Sequence, residues 1–66
     1  MSRAIESVKF VHAVQIPWQG NRMVGFLTSS EAKLEVWGGG VKITDLATEA
    51  ALFVPHANII QVTWMT

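Results

Sequence analysis

A chain of 66 residues without a single cysteine has to find its stability outside covalent cross-links. So short a chain buries a smaller share of its surface than a larger domain does. Disulfides, a structural metal or oligomerisation ordinarily make up the deficit. Disulfides and thiolate zinc sites are excluded here. The only imidazoles, His12 and His56, stand far apart in the chain without a carboxylate cluster around them, so no metal centre is expected. That leaves self-association. Half of the residues are apolar, 15% are charged, and tryptophans stand at 18, 37 and 64. One core of this size struggles to hide so much apolar surface, and large exposed patches mark interfaces. A single domain over residues 1–66 that assembles with copies of itself is the expectation.

The period of the apolar residues sets the fold class. Ser2 to Ser7 admits one short helical turn with Ser2 as its cap, too short to stand alone. From Val8 the pattern alternates: Val8, Phe10, His12, Val14 and Ile16 share one face of a strand, against Lys9, Val11, Ala13 and Gln15 on the other. Pro17-Trp18-Gln19-Gly20-Asn21 turns the chain. Arg22 to Ser30 is a second strand, and Gly25 in its middle marks a bend or a close backbone approach. Lys33-Leu34-Glu35-Val36-Trp37 alternates again, placing Trp37 on the face of Lys33 and Glu35. Gly38-Gly39-Gly40 then ends or distorts that strand. From Val41 to Ala50 the pattern stays open between a helical turn, a loop and the start of a strand. Ala51 to Val54 is a short strand stopped by Pro55, and Asn58 to Trp64 is the last. Ile59 and Ile60 point to opposite faces, so both faces of that strand want cover. The sum is an all-β domain, a five-stranded small β-barrel with a short N-terminal helix ahead of it.

No nucleophile, base and acid can be assembled, so no catalysis and no cofactor are expected. Gly38-Gly39-Gly40 lacks the Gly-Lys-Ser/Thr ending of a phosphate loop and reads as a flexible hairpin connection. The formal net charge is zero, whereas a protein that binds nucleic acid through phosphates is visibly basic. A ring of copies would still gather Arg3, Lys9, Arg22, Lys33 and Lys42 on one face. Residues 1–17 carry Glu6, Lys9, His12 and Gln15 among the apolars, which breaks any signal-peptide core. No run approaches a membrane span, so a cytoplasmic protein without a membrane partner is expected.

Two stretches resemble the Sm-like family (Sm, LSm and bacterial Hfq). Gly25-Phe26-Leu27, with Glu31 at the acidic spacing and then Leu34-Glu35-Val36, is similar to its first motif. Leu52-Phe53-Val54, the turn Pro55-His56-Ala57 and Asn58-Ile59-Ile60-Gln61-Val62 are similar to its second. The resemblance implies a homo-oligomeric ring in which the fourth strand of one subunit pairs with the fifth of the next. It thereby implies an interface of Leu52, Phe53, Val54, Ile59, Ile60 and Val62. It also implies single-stranded RNA near the pore, at the loop after the bent strand and the loop between the last two. Ser30, Glu31, Glu35, His56 and Asn58 fall there. The departures are Glu31 for Asp, Glu35 for the base-contacting Asn, and Pro55-His56 where the family has Arg-Gly. The other SH3-type barrels compete with this reading, and with them a protein-interaction or scaffold role without nucleic acid. His12 is expected as a core or interface histidine, Trp18 as a cover over the barrel mouth or a subunit contact, and Trp64 as a packing residue.

Overall fold

Residues 4–65 are described by a computed structural model, and they form six β-strands and no α-helix. The strands are β1 (Ile5–Ile16), β2 (Arg22–Thr28), β3 (Ala32–Trp37), β4 (Gly40–Asp45), β5 (Ala51–Pro55) and β6 (Ile59–Trp64), with 3₁₀ turns at Pro17–Gln19 and His56–Asn58. They pair into two antiparallel three-stranded sheets, ordered β2-β1-β6 and β3-β4-β5. All-β is therefore the class.

Two expectations are corrected and one open stretch is resolved. Ile5, Glu6 and Ser7 begin β1 as extended chain, not a helical turn; Ser2 and Arg3 lie outside the described residues. Within the stretch that sequence leaves open, Val41 to Ala50, the residues up to Asp45 belong to an additional strand, because Val41 and Ile43 alternate with Lys42 and Thr44 and need a face to bury. The strands also do not close into one five-stranded barrel. Instead of one bent strand shared by both sheets, a tight turn separates β2 from β3. Glu31 builds that turn: its Oε1 accepts from the Thr28 amide at 3.3 Å and the Thr28 hydroxyl at 3.2 Å, while its own amide donates to the Thr28 carbonyl at 3.0 Å. Arg22 reaches Glu31 at 3.5 Å across exposed surface, a pair that adds at most about 1 kcal/mol.

The β1–β2 reversal follows from its residues. Pro17 opens the 3₁₀ turn, and Gly20 and Asn21 then take φ of 69° and 60°. Glycine and asparagine are the residues that enter this left-handed region at least cost. Between the sheets lie Ile5, Val8, Phe10, Ile16, Val24 and Leu27 from one side, and Ala32, Leu34, Val41, Ile43 and Val54 from the other. Trp18, Leu52, Ile59, Val62 and Trp64 pack partly buried around them. The fully buried Ile16, Leu27, Ile43, Val8 and Val41 each contribute about 1.5–3 kcal/mol of apolar burial.

The two sheets differ in regularity. β3–β4 and β4–β5 run in unbroken register, from Ala32 opposite Asp45 to Trp37 opposite Gly40, and from Gly40 opposite Pro55 to Thr44 opposite Ala51. Both seams of β1 are shifted instead. Against β2 the break falls between Lys9 and Val14, where several residues of β1 face Gly25 alone. Against β6 it falls around Glu6 and around Ile60. These bulges turn His12 away from the core: it is exposed rather than on the buried face.

Candidate nucleic-acid interface

The outer face of the second sheet is set by its register. Residues directly opposite one another in an antiparallel pair project to the same side. One rung is Glu35, Lys42 and Phe53; the next is Trp37, Gly40 and Pro55. Lys33, Thr44 and Ala51 form the rung beyond Glu35. Trp37 and Phe53 are 52% and 51% exposed, so both rings stand in solvent although each carries enough apolar area to fill a core site. Lys42 lies between them, its Nζ 5.4 Å from the Trp37 ring centroid, a cation–π contact. A shallow depression is lined by Trp37, Lys42, Ala51, Leu52 and Phe53.

The hairpin at the end of this sheet brings in His56. Gly38 and Gly39 link Trp37 to Gly40, and the His56 amide donates to the Gly39 carbonyl at 3.0 Å. A Cβ on Gly39 would lie 3.5 Å from Phe53 Cζ, so the ring leans over the hairpin. His56 is exposed at the start of its 3₁₀ turn. Trp37, Lys42, Phe53 and His56 therefore gather at one end of one sheet. Stacking faces, a cation and an imidazole are the groups that unpaired bases and their phosphates engage.

The other residues marked by sequence lie elsewhere. Ser30 and Glu31 sit at the opposite end of the second sheet. β3 and β5 both run antiparallel to β4, so the turn before β3 and the turn after β5 are a strand length apart, roughly 17 Å. Within one chain the structure does not bring them to His56. The cause is β4, which reverses the chain once more than a five-strand reading allows. Ser30 shares a hydroxyl contact of 2.8 Å with Thr28, and Glu31 holds the turn. Glu35 is half-buried beside Lys42 on the outer face. Asn58 is engaged inside the fold: its Oδ1 accepts from the His12 amide at 2.8 Å and its Nδ2 donates to the His12 carbonyl at 3.1 Å. One side-chain amide thus continues the ladder that β6 makes with β1.

Of the residues expected at a subunit contact, Val54 is 3% exposed, and its side chain belongs to the core. Leu52, Ile59 and Val62 are half-buried against it. Phe53 and Ile60, 51% and 58% exposed, remain outside. Both β5 and β6 are edge strands of their sheets. Sequence alone does not point to Lys42 and Phe53 as base contacts. The signal that reveals them is the two-residue glycine hairpin, which places Lys42 five positions after Trp37 on the adjoining strand.

Among the described residues no group of three or more His, Asp or Glu side chains is arranged to hold a metal ion. No helix among them is long and apolar enough to cross a membrane. No protein-family model, curated protein or solved structure matches the chain.

Proposed function

We propose that this chain is an RNA-binding module, Sm-like in plan, that assembles into a homo-oligomeric ring and holds single-stranded RNA on the aromatic end of its second sheet. The observation that carries the reading is the pair of exposed rings, Trp37 and Phe53, flanking Lys42 on one sheet face beside His56. Base stacking on such rings contributes about 1–3 kcal/mol per base and tolerates any sequence. A neutral chain suits this mode better than one resting on phosphate neutralisation, because stacking does not require net positive charge.

Assembly is supported by the sheet edges. The short strand β5, the three-residue 3₁₀ turn and the last strand β6 lie in the order that the Sm-like resemblance implies. Among the described residues each ends its sheet, and an edge strand presents backbone amides and carbonyls to a partner strand. Pairing β5 of one subunit with β6 of the next would satisfy both edges and cover Ile60. A ring repeats a weak site many times, and avidity then raises affinity without new contacts.

The test is anisotropy of a labelled single-stranded RNA oligonucleotide at low salt. Trp37→Ala and Phe53→Ala should each weaken binding by about tenfold or more, and His56→Ala by less. In light scattering, Ile60→Asp should lower the assembly mass. A wild-type protein that binds no RNA at low salt overturns the binding half of this reading and leaves a scaffold or protein-interaction module. A monodisperse monomer overturns the ring.

A further inference from the structure

We infer that β3 is a self-complementary edge through which two copies of this chain pair, strand to identical strand, about a two-fold axis. This goes beyond the ring, because it uses neither β5 nor β6. Among the described residues β3 ends its sheet and pairs only with β4. Trp37 and Gly40 close a two-residue hairpin, which makes them a hydrogen-bonded pair, as are Glu35 with Lys42 and Lys33 with Thr44 in alternation. The amides and carbonyls of Ala32, Leu34 and Val36 consequently point to the free edge. Beside that edge runs an open groove of about 790 Å³, walled by Ile5, Leu46, Trp64 and Met65. Val36, 44% exposed, looks into it from the edge itself.

The charges on the strand select a second copy as the occupant. Antiparallel self-pairing that keeps the inner faces of both copies on one side allows only registers centred on a residue. Centred on Lys33, it sets lysine against lysine. Centred on Glu35, it sets glutamate against glutamate. Centred on Leu34, it sets Lys33 of each copy against Glu35 of the other, twice, and Leu34 against Leu34 in the apolar layer. Ala32 then meets Val36, so both ends of the contact are apolar on the groove side. Edge charges usually protect a strand from such pairing. An alternating Lys-x-Glu strand gives no protection against its own antiparallel copy. The contact is isologous and closes on itself, so it limits growth to a pair instead of seeding fibres. It would also fuse two outer faces into a six-stranded surface that carries both sets of Trp37 and Phe53.

Charge reversal tests this with built-in rescue. Light scattering across a concentration series is measured for the wild-type protein, K33E, E35K, the double variant K33E/E35K, and an equimolar mixture of the two single variants. Each single reversal puts like charges opposite one another twice and should weaken self-association roughly tenfold, lowering the weight-average mass by about a quarter near the midpoint. The double variant restores unlike pairs and should recover the wild-type mass. The mixture should form heterodimers, because one partner is acidic at both positions and the other basic. Circular dichroism melts of all variants establish that they are folded. Single variants that keep the wild-type mass, or a folded double variant that stays dissociated, overturn the inference. So does loss of mass in Ile60→Asp alone, which would leave the ring reading standing.

Discussion

The second sheet is regular on both seams and the first is irregular on both, and this contrast decides where the molecule tolerates change. In the regular sheet every residue has a fixed partner, so side-chain position is dictated rung by rung and the neighbouring backbone cannot yield. In the irregular sheet Ser7, Val8 and Lys9 of β1 pair on both sides, Phe10 pairs with β6 alone, Val14 to Ile16 pair with β2 alone, and His12 meets one side chain, Asn58. Local shifts are already accommodated there. The two glycines that lie in strands, one in each sheet, make the contrast concrete. Gly25 stands on β2 opposite the bulge of β1, and a Cβ built on it meets nothing within 4 Å. Gly40 opens β4 against Pro55, and a Cβ there would strike the Val54 carbonyl oxygen and stand 2.8 Å from Pro55 Cα.

The largest expected effect is therefore at Gly40. Gly40→Ala forces two strand backbones apart in a sheet with no slack, and overpacking of this kind costs about 1–3 kcal/mol or more. Gly25→Ala should be neutral or stabilising by up to about 1 kcal/mol, since it removes unfolded-chain freedom without a clash. Urea unfolding of both variants checks the pair. This reverses the weight that sequence places on Gly25 as the bend of a barrel. A Gly25→Ala loss larger than the Gly40→Ala loss would break the comparison between the sheets.

Asn58 sharpens it from the other side. Its amide replaces a strand rung by serving both the amide and the carbonyl of His12. Asn58→Ala should cost about 1–2 kcal/mol, from two net hydrogen bonds at a partly exposed site. Asn58→Asp should cost more than its size suggests, because a carboxylate oxygen would face the His12 carbonyl where a donor now stands. His12→Ala should leave stability within about 0.5 kcal/mol, since the fold uses only the backbone of this exposed residue. Melting temperatures rank the three. Destabilisation by His12→Ala equal to that by Asn58→Ala would mean that the imidazole, not the amide clamp, holds β1 at its bulge.

Much of this architecture is written in residue order. The alternation from Val8, the Pro17 to Asn21 reversal, the Lys33 to Trp37 strand and the stop at Pro55 each follow from local chemistry. The exposed Trp37 follows from sharing a face with Lys33 and Glu35. β4 escapes because a run from Val41 to Asp45 is short, and Asp45 to Ala51 supports turn and helix equally well until a partner strand is known. Missing β4 moves every loop after it to the wrong end of the sheet, which separates Ser30 and Glu31 from His56. The bulges in β1 escape for a different reason. A register shift is a property of two strands together, and no single stretch records that Phe10 to Ala13 faces one glycine or that Asn58 completes a ladder.

The smallest effect concerns the turn after β4, where the regular sheet holds its next reversal by charge. Asp45 Oδ2 accepts from the Thr48 hydroxyl at 2.6 Å and from the Thr48 amide at 3.0 Å, and the Asp45 amide donates to the Ala50 carbonyl at 2.7 Å. Glu49, at φ 63°, completes the turn in a left-handed conformation that this network must hold. The Thr48 hydroxyl, aided by the backbone amides of Thr48, Ala47 and Leu46, holds the Asp45 carboxyl below its ordinary value of 3.8, against a smaller desolvation effect in the other direction. A carboxyl whose folded pKa is depressed stabilises the fold fully above its unfolded value, and that contribution fades as pH falls through the folded value. Urea unfolding of the wild-type protein and Asp45→Asn between about pH 6 and pH 2.5 should show a small advantage for the wild type at the upper end. The advantage should shrink below pH 3.8, as the carboxyl takes up its proton and comes to resemble the neutral amide. Thr48→Val should remove most of the pH dependence that Asp45 brings, because its hydroxyl is the leading cause of the shift. An advantage that stays constant or widens towards acid would mean that the turn is held by its backbone bonds alone, and the charge on Asp45 would have no part in fixing where β5 begins.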